Sequence, residues 1–344
     1  MHALIEKRMK KNTTKKTAQY HLHIENHRSR LEMFQMSGAR WAAAAKRHAL
    51  LAKGLRVTIG WDGDILDKAL QTADMYLGST MPRDNLDVRA PRLKWLQMTG
   101  AGADYLMPLD WLPKRMVLTN NSGAQAIKAK DSVAMALLML NARLPAVLTN
   151  QRKKRWEQLY SPPIAGKTAV VIGFGRLGQA AGRAAKGLGL NVISVTRTGQ
   201  RARTADLAVR TAQIDKVLPK ADFVIVTAPL TKETRGLLNR DRLDLMKPSA
   251  GLVNIARAPI MDHDALCAKL ENGSISGAIL DVHDPEPLPA DSGLWSTPNL
   301  IVLPHITCDD PDYISALLDF WFQNFARFKK GKPLKNRVDR ALGY

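Results

Sequence analysis

Thr168-Ala169-Val170-Val171-Ile172-Gly173-Phe174-Gly175-Arg176-Leu177-Gly178, followed by the small-residue segment Gln179 to Gly189 and the apolar run Val192 to Val195, is the stretch around which the chain is organised. The β-branched run before the glycines predicts a buried strand, and the second run predicts another. Strand, glycine turn, helix and strand in this order make a dinucleotide-binding βαβ unit. Gly173 permits the tight turn, Gly175 lets backbone approach a pyrophosphate, and Gly178 lets the helix pack closely on the strand. The pyrophosphate would sit on the positive end of that helix, where Arg176 and Leu177 join the glycines as candidate cofactor contacts. The glycine spacing alone fits many α/β turns; the flanking strands and helix carry the inference.

The end of the second strand bears on which dinucleotide is bound. An NAD site usually places an acidic side chain there to bind the ribose 2′-OH. Here the strand ends Val195-Thr196-Arg197-Thr198, without a carboxylate. A guanidinium and two hydroxyls suit a 2′-phosphate, so Thr196, Arg197 and Thr198 predict NADP(H) in preference to NAD(H), which stays open as the second choice. Arg197 as a solvated loop residue is the plain alternative.

The 344 residues are enough for two domains of ordinary size, and 45% hydrophobic content suits a globular chain. No apolar run is long enough for a membrane span, and no signal-peptide core opens the sequence. Two cysteines, Cys267 and Cys308, make no disulfide framework, so a cytoplasmic location is expected. Cys308 stands three residues after His305, but two potential ligands are too few for a metal site. The net charge is +20, and half of the excess falls in residues 1–56, with thirteen Lys/Arg against three acids. Without a nucleic-acid-binding motif among these charges, they read as solvated surface and attraction for an anionic substrate.

Residues 1–17 read as a basic, poorly ordered lead-in. A strand is expected at Tyr20 to Ile24, then a helix from Ser29 to Leu51 with Ser29 and Glu32 as a capping box. Strands at Arg56 to Ile59, Met75 to Gly78 and Leu93 to Met98 alternate with short helices, which predicts a first parallel α/β domain. Thr99-Gly100-Ala101-Gly102-Ala103-Asp104 follows the third of these strands. Glycines at that end of a parallel sheet leave backbone N–H groups able to hold an anion. A strand at Val117 to Thr119 and a long apolar helix over Ala126 to Leu144 come next. Further buried strands are expected at Phe223 to Thr227, Leu252 to Ile255, Ala278 to Val282 and Leu300 to Leu303, and an amphipathic helix at Asp312 to Phe328. The fold class is therefore α/β: two Rossmann-like doubly wound parallel-sheet domains with a cleft between them. The substrate domain would be discontinuous, 18–125 with 312–344, around a dinucleotide-binding domain at 126–311.

Three strand ends behind the glycine motif carry polar groups: Arg257 after Asn254-Ile255-Ala256, Glu286 in Asp281-Val282-His283-Asp284-Pro285-Glu286-Pro287, and His305 after Pro304. With Pro229-Leu230-Thr231-Lys232-Glu233-Thr234 and the Asn336-Arg337-Val338-Asp339 tail, their order and spacing resemble the D-isomer-specific 2-hydroxyacid dehydrogenases over nearly the whole chain after the lead-in. The basic end of the second cofactor strand and the Gln151 to Trp156 segment look most like the glyoxylate/hydroxypyruvate reductase branch.

The resemblance implies reduction of a small 2-oxo acid to a D-2-hydroxy acid, with hydride from nicotinamide. It makes His305 the proton donor, Glu286 the acid that favours and orients its imidazolium, and Arg257 the holder of the substrate carboxylate. The Ala101 and Gly102 N–H groups would take the remaining carboxylate oxygens. Asp281 would accept from the nicotinamide carboxamide, and Thr227, Ala228, Pro229, Ile255 and Ala256 would line the cofactor. A homodimer through the Ala126 to Leu144 helix is expected, with Trp156 either in the core or capping a pocket. His283, where the family usually has an aromatic, reads as a cleft-edge or packing residue. The sequence also departs from the family at Ala258-Pro259, which replaces a glycine-led turn, and at Asp131, where Glu is common. Two rival readings stay open: an NAD-linked dehydrogenase of another D-2-hydroxy acid such as a phosphoglycerate, and a non-catalytic dinucleotide-sensing regulator.

Overall fold

The computed structural model describes residues 20–124 and 126–344; the basic lead-in expected over residues 1–17 lies outside the described residues. The chain divides into two compact units. The first comprises the described part of Met1–Thr99 with Asp110–Asn120 and Ile314–Arg337, and the second Gly100–Leu109, Asn121–Tyr313 and Val338–Tyr344.

In the first unit, β1 (Tyr20–Asn26), β2 (Leu55–Trp61), β3 (Met75–Gly78), β4 (Trp95–Met98) and β5 (Val117–Thr119) form a parallel sheet in the order β2-β1-β3-β4-β5. The apolar face of the helix Tyr313–Lys329 supplies its aromatic core: Trp321, Phe322 and Phe325 are fully buried, and Trp321 stacks on Trp95 with centroids 5.4 Å apart. In β1 polar and apolar side chains alternate, and the polar row is buried too. His23 bonds Glu25 at 2.9 Å and Thr58 at 2.9 Å, Thr58 bonds His21 at 3.0 Å, and His21 bonds Thr72 at 3.0 Å. Each polar group in the row therefore offsets its neighbour's desolvation.

The helix expected from Ser29 starts later. Asn26 holds Met36 through both its amide atoms, at 2.7 and 3.3 Å, and keeps the intervening chain in turns. Ser37, not Ser29, is the cap, its hydroxyl accepting from Arg40 N–H at 3.3 Å, and the helix runs Gly38–Arg47.

In the second unit, β6 (Thr168–Ile172), β7 (Asn191–Thr196), β8 (Leu207–Arg210), β9 (Phe223–Val226), β10 (Gly251–Asn254), β11 (Gly277–Leu280) and β12 (Leu300–Val302) form a parallel sheet in the order β12-β11-β10-β9-β6-β7-β8. The order reverses between β6 and β9, which makes their carboxyl ends the crevice where this topology binds ligands. One face of the sheet packs Val133, Leu137 and Leu140 of the helix Ala126–Asn141 and Ala181, Ala184 and Ala185 of the helix Arg176–Gly187. The other packs Leu243, Leu266 and Leu270, so the sheet is covered on both faces as its continuous apolar strands require.

The long helix stops at Asn141 rather than Leu144, because Pro145 cannot continue it: Arg143 turns left-handed at φ +55 and a new helix, Leu144–Arg152, begins. The edge strand β8 has no counterpart in the sequence reading; its four residues are half-exposed and too short to show a period. Among the described residues no single helix is long and apolar enough to cross a membrane.

Candidate active site

At the carboxyl end of β6 the glycine turn is built as a cradle. Gly173 has φ +85, and a Cβ there would collide with Ala228. A Cβ on Gly178 would collide with the Gly173 carbonyl, whereas one on Gly175 meets nothing within 4 Å. The first and third glycines are thus required by packing, and the second leaves open space at the first turn of the helix Arg176–Gly187, where a pyrophosphate fits. Thr227 donates its hydroxyl to the Gly173 carbonyl at 2.5 Å and so clasps the turn. Beside it, Ala228 is buried and Pro229 exposed, and Ile255 and Ala256 are buried at the end of β10.

At the end of β7, Thr196 and Thr198 accept from the N–H groups of Gly199 (3.0 Å) and Gln200 (3.4 Å). Arg197 is exposed and has no ion pair among the described residues. Its charge reaches Asp339, whose carboxyl is held below the usual range first by the N–H groups of Leu342 and Ala341 and then by Arg197.

Arg257, Glu286 and His305 all belong to the second unit, as does the loop at Gly100–Leu109. His305 Nδ1 lies 2.8 Å from Glu286 Oε2, while Glu286 Oε1 accepts the His283 N–H at 2.9 Å. Burial works to raise the Glu286 carboxyl, but the bonds from His305 and His283 outweigh it and hold the group below the usual carboxylate range. His305 itself sits at φ +56, a left-handed backbone seldom adopted by residues other than glycine. Arg257 Nε bonds Asp104 at 3.1 Å and one terminal amino group bonds the Ala256 carbonyl at 2.8 Å. The other terminal group lies against Gly102, where any Cβ would displace it. Ala101 and Gly102 thus stand in the loop that meets the guanidinium, with Ala101 exposed and Gly102 half-buried.

Residues 134–307 match the model of the D-isomer specific 2-hydroxyacid dehydrogenase NAD binding domain. A glyoxylate reductase of Thermococcus onnurineus is 34% identical over 277 residues, covering 76% of this chain and 82% of the relative. The chain belongs to the D-isomer specific 2-hydroxyacid dehydrogenases. A solved dehydrogenase of this family from Xanthobacter autotrophicus, in complex with NADPH and MES, superposes with a TM-score of 0.79 at 29% identity, covering 93% of this chain and 99% of that one. The NADPH-dependent glyoxylate/hydroxypyruvate reductase of Sinorhizobium meliloti, in complex with NADP and sulfate, gives 0.77 at 26% identity, with 94% of this chain and all 100% of that one covered. The protein is therefore an oxidoreductase that uses a nicotinamide cofactor on a small 2-oxo or 2-hydroxy acid.

Several groups that shape this dehydrogenase's candidate site were given no role from the sequence. Asp104 orients Arg257. Buried Asn254 accepts from Ala256 N–H at 3.0 Å and donates to the Arg257 carbonyl at 3.1 Å, fixing the turn that presents the guanidinium. Ser132 donates to the Thr307 carbonyl at 2.9 Å. Each lies in a stretch quoted from the sequence, but only its partner's position gives it a task. His283 does more than pack, since its ring bonds the Leu303 carbonyl at 2.9 Å. Trp156, 94% exposed, is not a core residue of this chain.

Proposed function

We propose that this dehydrogenase reduces glyoxylate or hydroxypyruvate to the D-2-hydroxy acid with NADPH as the preferred cofactor. The 2.8 Å contact of His305 with Glu286 carries the reading, because it pairs an imidazole with a carboxylate as a proton donor of this reaction requires. When bound, the nicotinamide supplies hydride to C2 of the oxo acid. With Nδ1 committed to Glu286, the His305 Nε2 carries the proton that goes to the carbonyl oxygen; the carboxylate fixes the ring plane. Arg257 holds the substrate carboxylate, with Asp104 keeping the guanidinium edge in place and the Ala101 and Gly102 N–H groups completing the anion site. Asp281 takes the carboxamide of the nicotinamide with lone pairs not used by backbone.

NADPH is favoured because no carboxylate stands at the end of β7 while Arg197 is exposed there. The NADPH and NADP bound to the Xanthobacter and Sinorhizobium proteins support the same choice. Initial rates of cofactor oxidation with each oxo acid, NADPH and NADH side by side, test both parts. Fast turnover with NADPH and little with NADH is expected; turnover of neither oxo acid with either cofactor would overturn the substrate assignment.

The protein forms a homodimer in this reading. Ile127, Met135 and Leu138 are exposed on the helix Ala126–Asn141, and Val147, Trp156 and Tyr160 are exposed further along the chain. Light scattering should give twice the chain mass, and a monomer would remove this part of the proposal.

A further inference from the structure

We propose that the His283 imidazole is a positioning residue that aligns the Glu286–His305 pair, an inference that rests on reading that pair as the proton-donating machinery. His283 follows β11 and makes two bonds in different directions. Its backbone N–H donates to Glu286 Oε1 at 2.9 Å, and its ring Nε2 lies 2.9 Å from the Leu303 carbonyl, two residues before His305. A carbonyl only accepts, so Nε2 carries the proton. One residue thus joins the segment that carries Glu286 to the segment that carries His305.

The second tie matters because of what surrounds it. Pro304 has no N–H, so the backbone immediately before His305 has one donor fewer with which to anchor itself. Leu303 is held by its own N–H on the Leu280 carbonyl at 2.8 Å and by His283 on its oxygen. Beyond His305, the Ile306 and Thr307 N–H groups are held by Asp281 at 2.8 and 3.0 Å. The left-handed His305 is bracketed by these ties, and such a conformation persists only when its surroundings over-determine it.

The ring is suited to a constant donor. His283 is buried, and its Nδ1 has no hydrogen-bonding partner among the described residues, so a second proton there would find no acceptor. Burial first, and then the neighbouring His283, lowers the His263 imidazole on the helix His263–Glu271, while Asp264, Asp262 and Asp284 act to raise it.

Two variants separate alignment from packing. His283→Phe keeps a ring but loses the donor, and His283→Gln keeps an amide N–H near the position of Nε2. With NADPH and the better oxo acid, His283→Phe should lower kcat roughly tenfold, the effect of one buried hydrogen bond, and leave the KM for NADPH within about twofold. His283→Gln should restore most of the lost kcat. Amide hydrogen exchange over residues 303–307, read without substrate, should speed up in His283→Phe and slow again in His283→Gln. Unchanged exchange in His283→Phe, or equal losses in the two variants, would overturn the proposal. If the unmodified protein turns over neither oxo acid, the functional reading falls while the exchange comparison still judges the clamp.

Discussion

Asp281 Oδ1 accepts the N–H of Ile306 at 2.8 Å, and this bond, with its companion from Thr307 to the other oxygen at 3.0 Å, fixes the loop that bears His305. The carboxylate is almost fully buried, so it has no water to fall back on. An amide in its place has one accepting oxygen and would turn a donor toward one of the two N–H groups. Asp281→Asn should therefore lower stability by about 1–3 kcal/mol, the cost of a buried donor left unpaired, and depress kcat with it. Urea unfolding measures the first; an unchanged midpoint would contradict this account of the loop.

The imidazole carries the transferable proton in the proposed reaction, whereas nothing near the glycine turn depends on it. His305→Ala should lower kcat by about 10²–10⁴-fold and leave cofactor affinity close to that of the unmodified protein. Titration of protein fluorescence with NADPH reads the affinity directly. Loss of binding in that variant would mean that His305 does something other than proton transfer.

The two flanking glycines of the turn and the middle one should fail differently. Gly175 has open space around it, so Gly175→Ala should melt at the temperature of the unmodified protein yet bind NADPH and NADH at least tenfold more weakly, because its methyl group occupies the pyrophosphate's approach. Gly178→Ala forces a methyl group against the Gly173 carbonyl and should lose melting temperature as well. Equal melting temperatures would show that the turn has more slack than its contacts indicate.

In the proposed reading the exposed guanidinium at the end of β7 discriminates between the cofactors by charge. Arg197→Ala should weaken NADPH by about tenfold and NADH by much less, and raising the salt concentration should shrink the difference. Equal losses for both cofactors would remove the phosphate role.

Stability should fall on both sides of neutrality, for different groups. Burial holds the His21 and His263 imidazoles below the ordinary 6.5, so the unfolded chain binds protons first and stability drops as pH falls through that value. The lowered Glu286 carboxyl acts in the same direction further into acid, below its ordinary 4.5. Burial, together with Asp281 and Asp309, pushes the Cys308 thiol up to about 12 from the ordinary 9.0, so the unfolded chain loses that proton first and stability also drops above pH 9.0. Cys308 should resist iodoacetamide in the native protein at mildly alkaline pH, and rapid labelling there would show that the thiol is not shielded.

What the sequence by itself determined is local and periodic. Buried strands without polar interruption, the glycines of the turn and the absence of an acid after Val195 are properties of neighbouring residues, and they specify a doubly wound sheet and a dinucleotide cradle. The order of Arg257, Glu286 and His305 behind that cradle was legible for the same reason, since each stands just past a strand. Tertiary structure decided what depends on distant partners. Asn26 reaching Met36 moved a helix start from Ser29 to Ser37, and Pro145 set the end of another helix only once the backbone on both sides was placed. Asp104, Ser132 and His283 acquire their tasks from residues 20 to 175 positions away, and hydrogen bonds over such separations leave no period in the chain that forms them.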